Sequence, residues 1–186
     1  MKDSEKEILQ LFKDGDSRAM DLLYTGYAGY IAGVCSRYVS NKEDLHDIMQ
    51  ESFIKIITKL PSFEYRGKGS LKAWITKVAV NESLRFLKNG NLSIFVDTEE
   101  EFPTDVADEA EPDVKGMDMA DIAKLIAEMP TGYKTVFNLY AIDGRSHKEI
   151  AEMLNIRPNT SASQYLRAKN MLARMIREYR KKEEQR

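Results

Sequence analysis

Charge is laid out along this chain in three blocks, and that layout restricts it to two separately folded parts. Residues 1–88 carry 14 Lys+Arg against 12 Asp+Glu, residues 89–128 carry 2 against 12, and residues 129–186 carry 12 against 6. The formal net charge of −2 conceals these parts. The acidic middle also holds Pro103 and Pro112. Such a stretch buries too little apolar surface to offset its ordering entropy, so residues 91–117 read as a flexible acidic linker. Two small modules remain, residues 1–90 and 118–186, and 42% apolar content suffices for two modest cores.

In both modules apolar residues recur at threes and fours, with almost no strand-like alternation, so the expected class is all-α: two small helical domains joined by the linker. Ile8, Leu9, Leu11 and Phe12 form a short stripe ended by Gly15. Asp16 or Ser17 then caps a helix whose core face runs Met20, Leu23, Tyr27, Ile31, Val34 and Tyr38. Asn41 caps the next, with Leu45, Ile48, Met49, Phe53, Ile56, Ile57 and Leu60 inward until Pro61. A glycine-containing loop, 62–69, leads into a helix through Leu71, Trp74, Ile75, Val78, Leu84 and Leu87 that the cluster Asn89, Gly90, Asn91 stops. In the second module helices are expected from Asp118 and from Pro130, the latter carrying Tyr133, Val136, Phe137 and Tyr140 up to Gly144.

Catalysis finds little support. Cys35, alone in the chain, sits among Ile31, Ala32 and Val34 and reads as a buried small hydrophobe, which suits a reducing cytoplasm. His46, His147 and the carboxylates show neither metal-ligand spacing nor the order of a nucleophilic triad, so no enzyme, metal or cofactor is expected. No apolar run approaches the roughly 18 residues of a membrane span or follows Met1 to Glu5, so neither a span nor a signal peptide is expected.

Residues 146–169 have the layout of a helix-turn-helix. Ser146 and Glu149 are spaced as a capping box, Ile150, Ala151 and Leu154 form an inner face, and Asn155 tolerates the left-handed turn. Ile156 plugs that turn, and Pro158 opens a last helix running to about Arg180. On it Ser161, Tyr165, Ala168 and Leu172 share the inward face, leaving Thr160, Ala162, Ser163, Gln164, Arg167 and Lys169 outward or flanking. Amide and guanidinium groups there suit base edges in a major groove. A second nucleic-acid signal lies in 61–88, where Phe63 and Tyr65 stand beside Arg66 and Lys68, followed by Lys72, Trp74, Lys77, Asn81, Arg85 and Lys88. Interleaved aromatic and basic groups suit an unpaired strand, although the period of Trp74 places it in the core.

Taken together, Asp47, Gln50, Glu51 and Phe53, then Phe63, Arg66 and Gly67, Trp74, and Val78 to Asn81, followed by the acidic linker and the helix-turn-helix, resemble the extracytoplasmic-function (ECF) sigma factors of bacterial RNA polymerase. The resemblance spans roughly residues 10–88 and 118–178. It implies a region 2 domain at 1–90 and a region 4 domain at 118–186. It further implies docking on core RNA polymerase through Asp47, Gln50, Glu51, Phe53 and Ile54. Capture of the melted, single-stranded −10 promoter DNA would fall to Phe63, Tyr65, Arg66, Lys68, Lys77, Asn81 and Arg85. Reading of the −35 duplex would fall to Arg157, Asn159, Thr160, Ala162, Ser163, Gln164, Arg167 and Lys169. An anti-sigma factor is implied as a further partner. Three features depart from the commonest pattern: Glu64 and Tyr65 stand as an insertion after Phe63, Ala162, Gln164 and Leu166 replace basic or larger polar groups, and His46 replaces an acid before Asp47. The rival reading is a stand-alone helix-turn-helix regulator, which would need a dimer face that the first module does not offer.

Overall fold

The computed structural model describes residues 4–90 and 112–185, which form eight α-helices and no strand. The chain divides into two compact units, Met1–Asn89 and Gly90–Arg186. Most of the expected linker, 91–111, lies outside the described residues.

Unit 1 is built from α1 (Ser4–Lys13), α2 (Arg18–Ser36), α3 (Lys42–Lys59) with a 3-10 turn at Leu60–Ser62, and α4 (Ser70–Gly90). Leu23, Ile31, Ile56, Leu71 and Ile75 are fully buried between these helices. Asp16 rather than Ser17 caps α2: it accepts the Arg18 N–H at 2.9 Å, while the Ser17 side chain makes no capping bond. Asn41 caps α3 as its position predicts, accepting from Glu43 N at 2.8 Å and Asp44 N at 3.2 Å. Met20, expected in the core, is exposed instead.

A buried carboxylate fixes the start of α4. Glu5 on α1 is 6% exposed. Its two oxygens accept from the backbone of Gly69 at 2.9 Å, Lys72 at 3.1 Å and Leu71 at 3.4 Å. These are the donors that an opening helix turn leaves without intrahelical partners, and a negative group there is further favoured by the helix dipole. The preceding loop turns through left-handed positions at Gly67 and Gly69, with φ of 121° and 91°, where a side chain would be strained.

Unit 2 comprises α5 (Met119–Glu128), α6 (Thr131–Phe137), a π turn at Asn138–Ile142, α7 (His147–Leu154) and α8 (Pro158–Glu184). Leu125, Met129 and Phe137 pack against Ala168, Leu172 and Ile176 of α8. The helix expected to continue from Pro130 to Gly144 is interrupted. Asp143 N bonds to Asn138 O at 2.9 Å, an i to i−5 step that widens the coil and rotates the residues after it. Tyr140, expected on the inner face, is consequently 38% exposed. Lys134 is buried, its Nζ donating to the Ala127 carbonyl in the last turn of α5 at 3.3 Å, and burial lowers its pKa. The end of the expected linker is held rather than loose. Arg180 bonds Asp113 Oδ2 at 3.0 Å and the carbonyls of Asp113 and Lys115 at 2.9 and 2.8 Å, seating 112–117 on α8.

Candidate nucleic-acid interface

The helix-turn-helix of unit 2 rests on local chemistry. Ser146 Oγ accepts the Glu149 N–H at 3.3 Å, and Glu149 Oε2 accepts the Ser146 N–H at 2.9 Å, completing the capping box. The backbone and hydroxyl bonds from Ser146 hold the Glu149 carboxyl below the usual carboxylate range. Asn155 adopts φ 58°, ψ 46°, the left-handed conformation that ends α7. Arg157 and Asn159 are exposed at the start of α8, and Thr160, Ala162, Ser163, Arg167 and Lys169 are partly exposed along it. Gln164 corrects the expectation: it is 2% exposed. It lies three residues after Ser161 and four before Ala168, both fully buried, so the helical period carries it inward with them.

His147, assigned no role from its position, joins three elements. Its ring stacks on Tyr140 at 4.4 Å and 11°, Tyr140 in turn meets Tyr165 at 4.3 Å, and Nδ1 lies 3.0 Å from Ser161 Oγ. The π turn, α7 and α8 are thereby pinned together, and burial lowers the His147 pKa.

On unit 1 the loop after α3 and the first turns of α4 enclose an open cleft of about 600 Å³, lined by Phe63, Glu64, Arg66, Trp74 and Lys77 among others. Phe63 and Trp74 approach ring to ring at 5.1 Å. Trp74 is therefore a cleft wall, half-buried, and not the plain core residue its period suggested. Asn81 is exposed one turn beyond Lys77 on α4, and Arg85 one turn further. Tyr65 and Lys68 do not line the cleft. The Tyr65 ring lies instead 5.3 Å from the Lys6 ammonium of α1.

The other expected surface is on α3. Asp47, Gln50, Glu51 and Ile54 are exposed, and Phe53 is half-buried. Gln50, Phe53 and Ile54 line an apolar groove of about 450 Å³ whose other wall is Met20, Leu23 and Tyr24 of α2, and the Tyr24 and Phe53 rings lie 5.1 Å apart. Glu51 occupies the opposite shoulder of α3, where Arg85 of α4 reaches it at 3.3 Å. That Met20 and Tyr24 belong to this groove was signalled only by large apolar side chains on the opening turns of α2. Among the described residues no group of His, Cys, Asp and Glu could hold a metal ion, and no helix is long and apolar enough to cross a membrane.

These three surfaces, two on unit 1 and one on unit 2, fall on segments that two family models match. The model for Sigma-70 region 2 matches residues 23–91, and that for Sigma-70, region 4 matches residues 119–172. The chain is 28% identical to the ECF RNA polymerase sigma-E factor of Haemophilus influenzae, an alignment covering 93% of this chain and 95% of the relative. It is 27% identical to the ECF RNA polymerase sigma factor SigW of Bacillus subtilis, over 93% and 97%. The solved structure of the sigma factor RpoE in complex with the anti-sigma factor NepR from Bartonella quintana shares the fold, with a TM-score of 0.50, 21% identity and coverage of 95% and 98%. The chain belongs to the sigma-70 family of RNA polymerase initiation factors, within its ECF group. As such it is an RNA polymerase-binding, promoter-specific initiation factor.

Proposed function

We propose that residues 1–90 serve as the region 2 domain and 118–186 as the region 4 domain, and that the two divide promoter reading between them. Unit 1 docks on core polymerase through Asp47, Gln50, Glu51, Phe53 and Ile54, then captures the melted −10 strand. Unit 2 reads the −35 duplex through Arg157, Asn159, Thr160, Ala162, Ser163, Arg167 and Lys169. The observation that carries this reading is the cleft walled by Phe63 and Trp74, with Arg66 and Lys77 at its margin and Asn81 on the next turn.

Extruding a base costs a few kcal/mol of unstacking, and stacking on an aromatic side chain returns about 1–3 kcal/mol per base. Phe63 and Trp74 supply such faces, while Arg66, Lys77 and Arg85 follow the phosphates of the opened strand. The small cationic excess of residues 1–88, 14 against 12, is too little for tight binding unaided, so the polymerase provides most phosphate contact and this chain provides selection. An anti-sigma factor is a further proposed partner, of the kind that NepR is for RpoE of Bartonella quintana, and the grooved face of α3 is where it would compete with the polymerase.

Reconstituting core polymerase with the chain and mapping transcript starts on a genomic library tests the proposal. A limited set of start sites sharing −35 and −10 elements is expected. Phe63→Ala should keep the closed complex and lose permanganate reactivity of promoter thymines. Failure to associate with core, or sequence-specific duplex binding that needs no polymerase, would overturn the reading.

A further inference from the structure

A second buried carboxylate in unit 1 joins the docking surface to the strand-binding one. Glu82 on α4 is 6% exposed. Lys55 of α3 hydrogen-bonds to its Oε1, and Arg85 Nη2 lies 2.7 Å from its Oε2. That same Nη2 is 3.3 Å from Oε2 of Glu51, an exposed residue of α3. Arg85 is thus shared between a carboxylate enclosed by the fold and another, 53% exposed, that a partner can reach. Two acids and two bases leave the cluster neutral.

We propose that the Glu51–Arg85 contact restrains the strand-binding face of the free chain and that docking releases it. The inference rests on the proposed roles of Glu51 in docking and Arg85 in strand binding. A cationic group brought by the polymerase to Glu51 takes that carboxylate from Arg85. What remains, Lys55, Glu82 and Arg85, carries one net positive charge, and Glu82 keeps the guanidinium from following Glu51 away from the strand. Arg85 is half-exposed, 51%, so it can meet a phosphate without rearranging the core. Reciprocity is then required: a strand phosphate on Arg85 frees Glu51 for the polymerase, so each ligand favours the other by the same factor. Because the Glu51–Arg85 pair is largely solvated, its rupture is worth a factor of about two to five, a modest bias suited to a contact that must open. Glu82 acts here as a positioning residue, the fixed counter-charge about which Arg85 turns.

The test uses the full chain without polymerase, titrated with a fluorescent single-stranded oligonucleotide of mixed sequence at several salt concentrations. Glu51→Gln imitates the docked state. It should tighten strand binding about two- to five-fold and steepen the salt dependence by about one phosphate contact, while weakening association with core in a separate pull-down. Arg85→Gln should weaken strand binding, and adding Glu51→Gln to it should bring no gain. Unchanged affinity and salt slope in Glu51→Gln would overturn the coupling, as would a gain that survives Arg85→Gln, which would mark a general charge effect. Failure of the docking assignment is distinguishable, because Glu51→Gln would then leave core association intact; no cation would reach Glu51, and the coupling would fall with it.

Discussion

Glu5 ties α1 to an element distant in sequence, and His147 ties together three successive elements of unit 2. Glu5 spends both its oxygens on the opening of α4, more than sixty residues away. His147 is held neutral by burial beneath Tyr140 and against Ser161. The sign of its effect is definite. With the folded pKa depressed, the unfolded chain binds the proton first as pH falls, so unit 2 loses stability below the ordinary histidine value of about 6.5 and stops losing it below the folded value. His147→Phe keeps the stack and removes the proton. Hydrogen-exchange protection of α7 and α8, corrected for intrinsic rates, should then decline less between about pH 7.5 and about pH 5 than in the parent. Neither role was legible beforehand. A charged residue in an amphipathic opening helix and a histidine beside a cap have solvated readings of equal merit, and only the arrival of another element's backbone or ring decides between them.

Elements were read most securely where their signals are local. Asn41, Ser146 with Glu149, and Asn155 each act within four residues, so the chemistry of the side chain and its spacing sufficed. Asn155→Ala is expected to cost about 1 kcal/mol, because alanine resists the left-handed conformation, whereas Asn155→Gly should cost nothing. Urea midpoints of the two variants check this difference. The π turn at 138–142 lay beyond such reasoning, since a single widened turn leaves no signature in the residues it spans. Gln164 failed for a related reason. Polar character argued for an outward position, yet the period that buries Ser161 and Ala168 carries it inward regardless.

At the scale of the molecule, the three charge blocks announced two units, and the motif order announced the family. What joins the surfaces was not available: Phe63 finding Trp74, Tyr24 finding Phe53, and Arg85 finding Glu51 all depend on the packing of one helix or loop on another. Arg167→Ala should lose about 1–3 kcal/mol of holoenzyme binding at one −35 position, measured across single-base substitutions; a uniform loss would make it a phosphate contact instead. The seating of 112–117 by Arg180 bears on this reading end. With 27 residues, α8 is a beam about 40 Å long. Its first turns are gripped by α7 and its last by the segment through which the chain enters the unit. Torque applied at that end would be carried along a single stiff rod to the side chains proposed to read the −35 duplex.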